Sequence, residues 1–122
     1  MTEERLALGR WGEEQAVRFL RRKGLKIVAR NLRTPVGEID IIARHKRTLV
    51  FVEVKTRRNL AFGAPQEAVG PTKQRQIRRT AQWYLADQGT PTAPARFDVV
   101  AVVAGAGEPV IEHIVNAFDL PG

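Results

Sequence analysis

Apolar and polar residues change their spacing several times along the chain, and the changes mark out its elements. From Glu3 to Lys23, small and apolar residues fall on one helical face, with Gly9, Ala16, Val17 and Leu20 as the inward stripe and Glu13 on that same stripe. Thr2 suits the N-cap, acids occupy the first turn and bases the last, and Gly24 can take the left-handed position that ends the helix. Glu14 stands four residues before Arg18 and reads as a surface pair.

The spacing then shortens to that of strands. Leu25–Leu32 is an apolar run with β-branched residues, Thr34-Pro35-Val36-Gly37 a turn, and Glu38–Ala43 a second strand. Arg44–Arg47 makes the next turn and Thr48–Lys55 the third strand, so short connections predict an antiparallel meander. A long loop, Thr56–Gly70, leads to a second helix over Pro71–Gln88, closed by Gly89, with Ile77, Ala81, Tyr84 and Leu85 as its apolar stripe. After the proline-containing linker Thr90–Ala95, strands are predicted at Arg96–Ala104 and Val110–Val115, joined by a turn through Gly105-Ala106-Gly107. The order αβββαββ describes one α/β domain spanning residues 1–122, with a mixed central sheet flanked by helices. The helix between the third and fourth strands permits a parallel crossover there.

Two strands carry the chemistry. Alternation along Phe51-Val52-Glu53-Val54-Lys55 puts Glu53 and Lys55 on one face, with Cα atoms roughly 6.5 Å apart. The preceding strand sets Asp40 among β-branched residues, thirteen positions before Glu53, and a hairpin could bring the two carboxylates side by side. Carboxylates that converge repel one another, and a hard cation between them relieves the repulsion. Asp40, Glu53 and the Val54 carbonyl could supply oxygens to Mg²⁺ or Mn²⁺, which would activate water and polarise a phosphodiester. Lys55 suits electrostatic stabilisation of the developing charge. On pattern alone, a cross-strand salt-bridge ladder explains Glu53 and Lys55 equally well.

Charge points to a polyanion. The chain holds 20 Lys and Arg against 13 acids, a net charge of +7, which fits a polyanionic partner, nucleic acid foremost, or simply solvated surface charge. The excess is scattered, which disfavours an amphipathic membrane helix. No apolar run approaches a membrane span, and Met1-Thr2-Glu3-Glu4-Arg5 does not read as a secretory signal, so a cytoplasmic protein without membrane association is expected. The absence of cysteine excludes disulfides, thiolate metal sites and cysteine nucleophiles.

Beyond these patterns, Asp40…Glu53-Val54-Lys55 resembles the PD-(D/E)XK, or restriction-endonuclease-like, nuclease signature. The segments Gly9-Arg10-Trp11-Gly12-Glu13-Glu14-Gln15-Ala16, Gly37-Glu38-Ile39-Asp40, Phe51-Val52-Glu53-Val54-Lys55 and Arg96-Phe97-Asp98-Val99-Val100 look like the YraN family of bacterial proteins, which is similar to the archaeal Holliday-junction resolvases. The resemblance runs from about Leu8 to Phe118. It implies a restriction-endonuclease-like core and a divalent-metal nuclease site in which Asp40 and Glu53 are the metal-binding acids, Lys55 the motif lysine and Glu13 the acid from the first helix. Ile39 stands where the fuller motif has proline.

The remaining candidates are weighed in the same way. Arg57 and Arg58, just past Lys55, are placed for substrate, while Lys73, Arg78 and their neighbours Arg75 and Arg79 could track a phosphate backbone or form a solvated helix face. Gln74 could bind phosphate or water, or simply face solvent, and Glu38 is a second-tier ligand candidate. Asp98 is expected to pair with Arg96, His45 and His113 to be structural or solvent-facing, and Trp11, Trp83 and Tyr84 to belong to the core. The expected function is a metal-dependent endonuclease on branched or otherwise structured DNA. Its alternative is a weakly active or inactive nucleic-acid-binding protein of the same fold within a larger assembly. A purely structural or interaction domain, with the acids as salt bridges, is the third class. Junction cleavage would require two active sites, hence a homodimer.

Overall fold

The computed structural model describes residues 2–59 and 69–118. Seven elements follow one another: α1 (Glu3–Arg22), β1 (Lys26–Thr34), β2 (Gly37–His45), β3 (Thr48–Arg57), α2 (Pro71–Asp87), β4 (Ala95–Val103) and β5 (Val110–Phe118). The strands lie in chain order across one sheet. β1–β2, β2–β3 and β4–β5 pair antiparallel, whereas β3 and β4 pair parallel through the α2 crossover. The expected order and mixed sheet are thus present. The long loop predicted over Thr56–Gly70 is shortened at its start, because β3 runs on to Arg57, and most of its remainder lies outside the described residues. β5 likewise continues to Phe118, past the expected end at Val115.

Each helix covers one face of the sheet. α1 starts where Thr2 Oγ1 accepts a hydrogen bond from the Arg5 amide at 3.2 Å, and the chain leaves it through Gly24 at φ +90°. Its Ala16, Val17 and Leu20 pack with Leu25, Ile41, Ala43, Val50, Val52, Val100 and Val102. α2 has Pro71 in its first turn, where the missing N–H costs nothing. Ile77, Ala81 and Leu85 pack on the opposite side with Ile39, Ile42, Leu49, Phe51, Phe97, Val99 and Phe118. β3 is covered on both faces, which is why Leu49–Val52 reads as a continuous apolar run. Among the described residues no helix is long and apolar enough to cross a membrane.

One glycine differs from expectation. Gly9 is exposed and borders an open cleft, while Gly12 is the buried one. A Cβ on Gly12 would collide with the Thr56 side chain, so the bare backbone there lets α1 lie directly against β3.

Candidate active site at the open end of the central hairpin

The close approach at Gly12 carries the next residue, Glu13, to a cleft of about 810 Å³ shared by α1, β2 and the end of β3. Asp40, Glu53, Val54, Lys55, Arg57 and Arg58 line the same cleft. Seven of the sequence-derived candidates therefore meet in one place.

Asp40 sits where the β2 pleat slips. Ile39 and Ile42 share the α2 side although they are three residues apart, whereas Ile41 faces α1. The facing stretch of β1 contains Asn31, held at φ +51° between the paired residues Arg30 and Leu32. Asn tolerates that left-handed conformation better than most residues. Irregularities of this kind re-aim side chains, and here the Asp40 carboxylate turns to accept a hydrogen bond from the Val54 amide at 2.9 Å. The ladder pairs Ile41 with Val52, so its next step sets Asp40 opposite Glu53.

Glu53 follows from the alternation of β3. Leu49 and Phe51 face α2, and Glu53 continues that face beneath the first turn of the helix. It is only 6% exposed. Lys55 Nζ stands 3.7 Å and Lys73 Nζ 3.6 Å from the same oxygen, Glu53 Oε1. Even so, burial and the Asp40 charge push the Glu53 carboxyl up to about 7, against an ordinary 4.5, with the two lysines pulling the other way. Burial also raises Asp40, opposed by the Val54 amide, Lys73 and Lys55. Glu13 is raised by burial and by Asp40, against the pull of Arg30 and a hydrogen bond from Asn31. Its Oε1 is buried without a hydrogen-bond partner, as is the Nε of Arg57.

These groups suit a hard cation. Three carboxylates are charged at a cost, the Glu13 Oε1 is unsatisfied, and the described residues lining the cleft include no soft donor. Among the described residues no three His, Cys, Asp or Glu side chains already stand close enough to enclose an ion. Mg²⁺ takes few protein oxygens and keeps its waters, so Asp40, Glu53 and a backbone carbonyl such as that of Val54 are the groups that could hold one.

Other candidates lie elsewhere or act differently. Glu38 is exposed beside Arg33, 3.5 Å away, and bears on the site through its charge on Asp40. The Gln74 amide is committed within the chain, donating to the Val69 carbonyl at 2.9 Å and accepting from Arg78 at 3.3 Å. Arg78 also stands over the Phe118 ring, 5.4 Å from its centroid. Arg58 pairs with Glu4 at 3.3 Å across the cleft mouth. Asn31 and the approach of Lys73 to Glu53 were not anticipated. An asparagine interrupting an apolar strand was the available signal for the first, and no local pattern marks the second.

A separate cluster is structural. The Asp98 carboxylate is fully buried and accepts from His113 Nε2 at 2.7 Å, Arg96 Nε at 3.1 Å and the Asn116 amide at 3.1 Å. Burial alone would raise its pKa, but these donors outweigh it and hold it below the ordinary 3.8. The expected Arg96–Asp98 pair and the structural reading of His113 both hold. Tyr84 likewise packs on the α2 side, edge-on to Phe51, and Trp11 on the α1 side.

A sequence model described as Uncharacterised protein family UPF0102 matches residues 12–102, a span that includes Glu13, Asp40, Glu53, Lys55 and Lys73. The chain belongs to this family. A UPF0102 protein of Syntrophotalea carbinolica is 60% identical over 122 residues, covering 100% of this chain and 99% of its own. One from Desulfosudis oleivorans is 55% identical over 119 residues, with 98% and 95% covered. One from Nocardia farcinica is 53% identical over 116 residues, with 94% and 91% covered. The YraN resemblance is borne out at the level of this family, and UPF0102 relatives match the chain over nearly its whole length.

Proposed function

We propose that this UPF0102 protein is a divalent-metal-dependent endonuclease with a restriction-endonuclease-like core, acting on branched or otherwise structured DNA. One observation carries the reading: half-buried Asp40 and buried Glu53, on adjacent strands, both resist ionisation beside a cleft flanked by Arg57 and Arg58. Opposed ionisation in a cleft is a mark of functional carboxylates. A purely structural pair would gain more from full compensation, as Asp98 does.

Asp40, Glu53 and the Val54 carbonyl would hold Mg²⁺ or Mn²⁺, with Glu13 as a further acid at the edge. When bound, the ion supplies positive charge to the phosphoryl oxygens and favours ionisation of a water. The chain does the rest. The Val54 amide fixes the Asp40 carboxylate through Oδ2. Lys55, held near Glu53, offers an ammonium to the negative charge that grows on the phosphoryl group. Arg57, with its buried Nε unsatisfied, and Arg58 bind flanking phosphates. A nucleic-acid-binding protein with little or no activity is the second reading. It is favoured by the two ammoniums that stand 3.7 and 3.6 Å from Glu53 Oε1 and partly offset its charge.

Cleavage assays with Mg²⁺ or Mn²⁺ on duplex, single-stranded, flap and four-way-junction DNA, and their RNA counterparts, separate the two. The proposal expects cuts by the native protein that vanish in Glu53→Gln. Salt-dependent binding by both proteins without any cleavage favours the second reading.

A further inference from the structure

Lys73 lies outside the Asp40–Glu53–Lys55 pattern, in the first turn of a different element, yet it reaches the same carboxylate oxygen as Lys55. Its charge favours ionised Asp40 and ionised Glu53, in each case ahead of Lys55. The pair of carboxylates therefore already has a pair of ammoniums. A divalent ion on those oxygens would set four positive charges against two negative ones, or three counting Glu13. Like charges within a few ångströms repel strongly in a partly dry site. One ammonium has to leave.

The two lysines differ in how easily they can do so. Lys55 belongs to a central strand paired with β4 at Ala101, and its side chain is 29% exposed. Lys73 is 38% exposed on a helix whose N-cap, Gly70, provides no side-chain hydrogen bond. Its four-carbon stem swings freely once its partner is neutralised.

From this arrangement we infer that Lys73 is an exchangeable internal counter-ion: it neutralises the Asp40–Glu53 pair in the ion-free protein, withdraws when a divalent cation binds, and then offers its ammonium to a substrate phosphate. The inference rests on the reading of Asp40 and Glu53 as a cation site. It makes cation and polyanion bind cooperatively, because each favours the state in which Lys73 is released, and such coupling is reciprocal.

The test is a Mn²⁺ titration of the full chain followed by the electron paramagnetic resonance of the free ion, comparing wild type, Lys73→Gln and Lys73→Arg. Lys73→Gln is expected to bind Mn²⁺ roughly tenfold more tightly, the scale for removing a partly screened charge at this range. Lys73→Arg keeps the charge and is expected to match wild type. With a labelled DNA duplex as probe, Mn²⁺ should tighten binding to wild type more than to Lys73→Gln. If wild type binds Mn²⁺ and Lys73→Gln binds it no more tightly, the exchange is wrong while the cation site stands. If Lys73→Gln binds more tightly but both proteins gain equally on the duplex, release toward phosphate is wrong. If none of the three binds Mn²⁺, the site reading and the exchange fall together. Lys73 is a partly exposed helix residue, and matching circular dichroism of the three proteins controls for folding.

Discussion

Replacing Glu53 with Gln should stabilise the ion-free protein at alkaline pH. The carboxyl has an ordinary pKa of 4.5 and is pushed up to about 7 in the fold. The folded chain thus holds a proton that the unfolded chain releases. That contribution is complete below the unfolded value, is lost as pH rises from 4.5 to about 7, and is absent above. At about 1.4 kcal/mol per pKa unit the loss comes to roughly 3 kcal/mol, with the attraction of Lys55 and Lys73 already included. Gln keeps the shape and stays neutral, so the variant should exceed wild type by about 2–3 kcal/mol at pH 8 and by little at pH 4.5. For a domain of this size that is a rise in Tm of roughly 10 °C. Calorimetry across this pH range in the presence of EDTA reads it directly. If Glu53→Gln melts below wild type at pH 8, the two lysines more than satisfy Glu53, and the case for a strained carboxylate pair fails.

Gly12→Ala should lower stability by about 1–3 kcal/mol, since the added methyl meets the Thr56 side chain, whereas Gly9→Ala, with open space around it, should raise stability by about 0.5–1 kcal/mol; urea titrations of the two variants check the contrast. Asp98→Asn should cost about 3–5 kcal/mol at neutral pH, because it leaves Arg96 facing a neutral, partly mismatched partner in the interior. The folded pKa of Asp98 lies below its unfolded value, so its stabilisation is present above pH 3.8 and lost as pH falls through the folded value. Thermal melts from pH 7 downward should therefore show wild type converging on the variant in acid. Mn²⁺ affinity should not change, because Asp98 does not line the cleft.

Much of this was legible because its signals are local. The caps of α1, its C-terminal Gly24, the proline opening α2 and the two apolar stripes fixed both helices to within a residue at each end. The meander and the parallel crossover followed from connection lengths. What escaped the sequence depends on pairing across elements. The slip that re-aims Asp40 is visible only when Asn31 is set opposite it, and the substitution of Gly12 for Gly9 in the buried stripe depends on where α1 runs off the sheet. Spacing offers Lys73 as a phosphate contact or a solvated base, because nothing in its neighbours reveals that the first turn of α2 overhangs Glu53. Gln74 and Arg78, grouped with it by spacing, turn to Val69 and Phe118 instead. That Asp40, Glu53 and Lys55 share one cleft is legible because strand alternation and hairpin geometry are short-range rules.

The central claim is that Asp40 and Glu53 form a working cation site for phosphodiester hydrolysis. The most direct measurement compares wild type and Asp40→Asn, purified in parallel, on the DNA structure that wild type cuts fastest, with and without Mn²⁺. Cleavage by wild type should require the ion and fall at least a hundredfold in Asp40→Asn, on the order of 3 kcal/mol of transition-state stabilisation. Equal rates in the two proteins, or no cleavage of any structure by wild type that binds Mn²⁺, would contradict the claim.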